Sequence, residues 1–334
     1  MNSRDRLKTI ISKQPADRCG FWLGCPHQET WPILHRYFGT TTADELRARL
    51  GDDFRWMAPW NAYRHPNGKP MFDMRRKGAG HGAAGVFSDC DSVAEVDAFE
   101  WPNLEYLDFT AALAELDQAG ETYRASGFWC PFFHEVADFF GMENYFVKMY
   151  THPEVVHAVT RHVVDFYLEA NTRFFKLAGD RVDGFFFGND FGTQLDLLVS
   201  PAMFDEFIFP YFGQLTRLGH QHGLQVILHS CGAVSRVIPK LIELGVDALH
   251  PLQAHAANME AEHLAREFKG RIAFIGGIDT QELLVRGTPE QIRADVRRVK
   301  RTLGPCLVVS PSHEAVLPDV PPANIAAMSD AARG

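Results

Sequence analysis

His229-Ser230-Cys231 places an imidazole and a thiol two residues apart, at the end of the apolar run Val226-Ile227-Leu228. Residues i and i+2 of a strand point to one face, so the two side chains would project together. A nitrogen and a sulfur donor on one rigid element is a way to present ligands to zinc or another borderline-soft metal. The same spacing also suits a buried structural cysteine beside a hydrogen-bonded histidine, and only the surroundings separate the two readings. His313 follows a later apolar run, 307–310. With His229, Cys231 and His313 as ligands, zinc would keep a fourth position open for substrate, as catalytic sites do. Such an ion lowers the pKa of a bound thiol or water, or acts as a Lewis acid on an ether oxygen. Asp190 and Glu314 are the carboxylates available for proton transfer.

These residues need a scaffold that gathers strand ends. From about residue 122 the chain alternates strand and helix patterns, which predicts βαβ units and a parallel sheet. Strands are expected at 121–128, 182–187, 225–229, 246–249, 271–275 and 307–310. Helices are expected at 136–149, 153–178, 201–222, 234–244, 259–268, 280–286 and 289–303. Earlier, 4–13 reads as a helix and 19–24 as a buried strand. The Gly-, Pro- and Trp-rich region 50–105 reads as an insertion, with a β-hairpin over 63–85 turning at Asn67-Gly68. No GxGxxG turn follows a strand, which disfavours an open nucleotide-binding sheet. Five βα units in the second half and three strands in the first fit an α/β (β/α)8 TIM barrel, one domain over 1–334.

In such a barrel the active site lies at the C-terminal strand ends. There the sequence sets Asn189-Asp190 with Gln194, then His229 and Cys231, His250 with Gln253, Asp279 with Gln281, and His313-Glu314. Asn189, Gln194, His250, Gln253 and Gln281 are the substrate-binding candidates; Asp190, Glu314 and Asp279 are the catalytic ones. Asp190 and Asp279 serve equally well as caps of the turns that follow them. His250, before Pro251, also fits a packed core histidine. The phenylalanine runs at 132–133, 139–140 and 185–187 read as core.

Composition narrows the function classes. The 334 residues are 46% hydrophobic and 22% charged, enough for a large core. A net charge of −9 argues against nucleic acid and anionic membranes as partners. No apolar run reaches about 18 residues, and the polar N-terminus lacks a signal-peptide core. Six scattered cysteines form no disulfide framework, and a reduced cytoplasmic setting is expected.

Several segments carry a resemblance. They are Arg4-Asp5-Arg6, Gly141-Met142-Glu143-Asn144, Phe191-Gly192-Thr193-Gln194 with Ser200-Pro201-Ala202-Met203-Phe204, and His229-Ser230-Cys231-Gly232. Phe274-Ile275-Gly276-Gly277-Ile278-Asp279 and Ser310-Pro311-Ser312-His313 through Pro318-Asp319-Val320-Pro321-Pro322 continue it. Together they resemble the uroporphyrinogen decarboxylase superfamily, which also contains zinc-dependent, cobalamin-linked methyltransferases. The resemblance spans nearly the whole chain and implies a (β/α)8 barrel and a homodimer.

Within that superfamily the sequence leans to one side. True uroporphyrinogen decarboxylases carry an N-terminal Met-Arg-Gln-Ala-Gly-Arg run whose arginines bind substrate carboxylates. Phe21-Trp22-Leu23-Gly24-Cys25-Pro26 stands at the comparable place, without arginine. Phe87-Ser88-Asp89 resembles a decarboxylase segment, but Cys90 departs from the Ile-Leu expected there, and Ser92-Val93-Ala94-Glu95-Val96 looks like the methyltransferase side. The methyltransferases use His-x-Cys plus a later Cys; His229 and Cys231 match, and His313 replaces the third. The chain thereby resembles relatives near the O-demethylase methyltransferases, which exchange a methyl group with the cobalt of a separate corrinoid protein. No Asp-x-His-x-x-Gly motif occurs, so cobalamin is expected on a partner. The leading expectation is a zinc-dependent methyltransferase component acting on a small methoxy- or methylamine-type substrate. A metal-free decarboxylase using Asp190 or Asp89, and a non-catalytic binding barrel, are the alternatives.

Overall fold

The computed structural model describes residues 1–80 and 82–334; His81, within the 50–105 region, lies outside the described residues. Eight parallel strands form the barrel: β1 (Gly20–Phe21), β2 (Phe54–Trp56), β3 (Tyr123–Ser126), β4 (Gly184–Gly188), β5 (Gln225–His229), β6 (Ala248–His250), β7 (Ala273–Ile278) and β8 (Leu307–Pro311). Each pairs with its chain neighbour from β2 to β8, and β8 pairs with β1. The remaining seam, β1 to β2, is closed by Asp53: its N–H donates to Phe21 O (2.8 Å), and its carboxylate accepts from Phe21 N (3.0 Å). The barrel expectation holds.

Strand alternation decides what enters the barrel. Trp22, Phe54, Tyr123, Phe186, Ile227, Ala248, Ile275 and Val308 share one buried interior cluster. Val226 and Leu228, one residue out of phase with Ile227, belong instead to the cluster under the helices. His229 and His250 are in phase with Ile227 and Ala248, so both turn inward at the top of the barrel. At the opposite end, the helix Ser3–Ile11 is capped by Asn2 and buries Leu7, Ile10 and Ile11 against the interior cluster, plugging the barrel floor.

Some boundaries differ from the pattern-based expectation. The helix expected at 136–149 is two helices, Phe132–Phe140 and Met142–Thr151, parted at Gly141. Gly141 has φ +83°, and a Cβ there would press on Ala83 O at 3.0 Å, so the break needs glycine. The helix expected at 201–222 carries a π-helical turn, Phe204–Ile208. It lies just before Pro210, which has no N–H to return to the carbonyl four residues earlier.

The expected hairpin at 63–85 is corrected. No strand lies between β2 and β3 among the described residues; Tyr63 makes only an isolated bridge to Leu107. Gly68 N does donate to His65 O (2.9 Å), so the turn exists without strands to join. Pro66, Pro70 and the glycines at 78, 80, 82 and 85 leave too few consecutive donors and side chains for a ladder. No helix among the described residues is long and apolar enough to cross a membrane.

Candidate metal and substrate site

His229, the last residue of β5, is buried at the barrel mouth and has partners at both ring edges. Its Nε2 lies 3.3 Å from Cys231 Sγ and 3.4 Å from Asp190 Oδ1. Its Nδ1 lies 3.0 Å from His250 Nδ1 and 3.5 Å from Glu314 Oε2. Asp190 Oδ1 also accepts from Cys231 N (2.9 Å), tying the loop after β4 to the loop after β5. A second tie is steric. Gly232 has φ +87° and packs on the backbone of Gly192, where no Cβ fits.

Two donor groups follow, each with ligand atoms within 4.8 Å of one another: Asp190, His229 and Cys231, and His229, His250 and Glu314. The first mixes oxygen, nitrogen and sulfur as zinc sites do. Tetrahedral bonds of about 2.0–2.3 Å put neighbouring ligand atoms about 3.3–3.6 Å apart. The observed separations of 3.3 and 3.4 Å therefore suit one ion on this face of His229. His313 belongs to neither group. Its Nδ1 accepts from Ala315 N (3.1 Å), and its ring is edge-on to His229 with centroids 6.1 Å apart. The geometry thus gathers Asp190 with His229 and Cys231, and sets His313 beside them.

The electrostatics favour a cation here. Burial pushes the Cys231 thiol well above its ordinary range, and the Asp190 and Glu314 carboxylates push it further the same way. Burial opposes ionisation of Asp190 too, yet contact with His229 and the Cys231 N–H outweigh it and hold the carboxyl below its usual range. Burial, followed by neighbouring His229 and His313, drives His250 well below the usual imidazole range. His250 is therefore neutral at pH 7, wedged against Trp22 and Phe186 (ring centroids 5.0 and 5.4 Å), and its Nε2 is buried without a hydrogen-bond partner. Glu314 Oε2 is likewise buried without a hydrogen bond.

A cavity of about 420 Å³ opens beside this cluster, over the ends of β6 to β8. Gln194, Gln253, Gln281, Asp279 and His313 line it. Gln253 Oε1 accepts from Gly232 N (2.9 Å) and from Gln194 Nε2 (3.1 Å), joining the cavity wall to the Cys231 loop. Asp279 acts as a cap. Its carboxylate accepts from the N–H groups of Gln281, Glu282 and Leu283 at 2.8–3.0 Å, which, with a contact from His255, overcomes burial and keeps it ionised.

Two expected substrate contacts are placed elsewhere. Asn189 is buried, its Oδ1 accepting from Phe133 N and its Nδ2 donating to Cys130 O, so its amide pins two loops together. His250 turns into the barrel interior behind His229, packed on Trp22 and Phe186, because it shares the inward phase of Ala248. Asp89 is exposed ahead of the helix Val93–Asp97, apart from the cluster.

Other residues at the mouth were not anticipated. His255 lines the cavity. Trp129, just past β3, stands edge to face with His229 (5.1 Å between centroids), and Gly188 leaves its indole room that no Cβ would.

A family model described as uroporphyrinogen decarboxylase (URO-D) matches residues 126–334. Among solved structures, a methyltransferase from Methanosarcina mazei superposes with a TM-score of 0.69 at 15% identity, covering 99% of this chain and 98% of that one. A protein described as a vitamin-B12-independent methionine synthase from Listeria monocytogenes aligns over 90% of each chain at 13% identity, with a TM-score of 0.42. No curated protein matches the chain.

Proposed function

Because the chain belongs to the uroporphyrinogen decarboxylase family, we propose that it is a metal-dependent methyltransferase component. It exchanges a methyl group between a small methoxy- or methylamine-type substrate and the corrinoid of a separate protein. The observation that carries this reading is the meeting of His229 Nε2, Cys231 Sγ and Asp190 Oδ1 beside a substrate-sized cavity. These three residues would hold the ion, with Asp190 in the place that the sequence reading gave to His313. A bound zinc supplies Lewis acidity at a substrate heteroatom.

The protein's own groups do the rest. With Nε2 as the ligand atom, His229 carries its proton on Nδ1 and donates to His250 Nδ1, which burial keeps neutral and able to accept. Glu314, 3.5 Å from both His229 Nδ1 and His313 Nδ1, is the carboxyl placed to take or return a proton beside His229. Gln194, Gln253 and Gln281 offer neutral hydrogen bonds that orient a small uncharged group. Among the described residues lining this cavity there is no Arg or Lys, which disfavours a polycarboxylate such as uroporphyrinogen.

The test is metal content by mass spectrometry on protein purified without added metal or a His-tag. About one zinc per chain, lost in His229→Ala and followed by methyl exchange with methylcobalamin, is the expected result. No metal uptake after anaerobic zinc loading would overturn the reading.

A further inference from the structure

A second cavity, of about 300 Å³, opens over the ends of β2 and β3. Its walls are aromatic: Trp60, Tyr63 and Trp129, with Met71 alongside. Trp60 and Trp129 stand 6.4 Å apart between centroids, and both pack on Trp56. One carboxyl enters this apolar setting, that of Glu135. Its Oε1 accepts from Tyr167 O–H at 2.7 Å, while Oε2 is buried and has no hydrogen-bond partner. Lys69 reaches the rim, but its ammonium is held by Glu100 at 2.5 Å.

The ligand must satisfy both features. An apolar ligand would leave Glu135 Oε2 orphaned, at the cost of an unmade buried hydrogen bond. An anion would face a carboxyl. A cation carrying methyl groups meets every demand, since aromatic faces attract positive charge within about 6 Å and a carboxylate completes the pairing. We infer that this cavity binds an alkylammonium headgroup, its methyl groups on Trp60, Trp129 and Tyr63 and its charge against Glu135. In the empty cavity, burial pushes the Glu135 carboxyl up to about 8, the cost that an arriving cation would offset.

The inference goes beyond the methyl-transfer reading: it assigns a further site, for an alkylammonium, apart from the cavity lined by Gln194, Gln253 and Gln281, and it does not rest on that reading. Binding is therefore measured without turnover, by isothermal titration of the full chain at pH 8. The probes are choline and 3,3-dimethyl-1-butanol, its neutral isostere. Choline should bind about 10-fold or more tighter than the alcohol, and both Glu135→Gln and Trp60→Ala should weaken choline by about 10-fold or more. Trp60 is 60% exposed, so its truncation tests the cage even if the buried Glu135 variant fails to fold. Metal content, read separately, should not change in either variant. Equal affinity for the two probes, no choline binding, or choline binding indifferent to both substitutions would overturn the inference. Choline binding by a protein that takes up no metal would leave it standing and remove the methyl-transfer reading instead.

Discussion

His229 presents one ring edge to Cys231 and Asp190 and the other to His250 and Glu314, so its tautomer decides which group it serves. Cys231→Ser exchanges a soft donor for a poor one at the mouth of the barrel. Zinc affinity should fall by about 100-fold or more while the melting temperature stays close to the parent's, read by chelator competition and calorimetry. His250→Phe keeps the packing between Trp22 and Phe186 but deletes the acceptor for His229 Nδ1. A loss of about 10–100-fold in metal affinity is expected, and an unchanged affinity would show that His229 is oriented without it. Glu135 gives a pH prediction. Its folded pKa, about 8, lies above the unfolded value, so its contribution to stability is fully present at acid pH and is lost as pH rises through about 8. Glu135→Gln removes that dependence. Relative to the parent, the variant should gain on the order of 5 kcal/mol between about pH 4.5 and 9, measured by urea titration across that range.

At the level of elements, the strands aim the chemistry and the loops complete it. β5 turns His229 inward because Ile227 is inward, a phase readable from the run Val226-Ile227-Leu228. His313 and Glu314 lie beyond β8, where alternation no longer fixes side-chain direction. The sequence therefore offered both residues without showing which would face His229 more closely. Asp279 was legible as a cap of the turn that follows it, whereas the hydrogen bonds of Asn189 to the distant backbone of Cys130 and Phe133 are set only by tertiary placement. The aromatic cavity was not legible at all, because it depends on loops after β2 and β3 that follow no periodicity. Its one local requirement is Gly188 at the end of β4, whose missing side chain admits Trp129. Gly188→Ala should cost about 1–3 kcal/mol in a denaturant titration and disturb choline binding along with it.

Across the whole molecule, the two barrel ends divide the labour. The mouth concentrates donors and cavities, whereas the floor is a network of buried charge. Asp53 accepts from Ser3 Oγ, from Arg6 and Arg18 guanidinium groups and from Phe21 N, and so joins the N-terminal helix to the β1–β2 seam. Asp183 plays a similar part with Arg4, Lys8 and Arg124. Among the described residues, Asp53→Ala removes the only carboxylate partner of Arg18 and one of the two of Arg6, and it opens the barrel's least hydrogen-bonded seam. A loss of about 3–5 kcal/mol is expected, seen as a clear fall in the denaturant midpoint with metal binding retained in the fraction that folds. The eight-strand count could be read from the alternation of patterns. That Asp53 rather than a ladder closes the ring could not, since one aspartate among many carries no mark of burial.

Trp129 lines the aromatic cage and stands edge to face with His229, so it touches both the cage and the metal-binding cluster. An indole in that position is a built-in optical probe. Metal arriving at His229 and a ligand entering the cage would each change the surroundings of one fluorophore. Emission followed through two successive additions, in either order, would then show whether the occupants sense each other across a single ring.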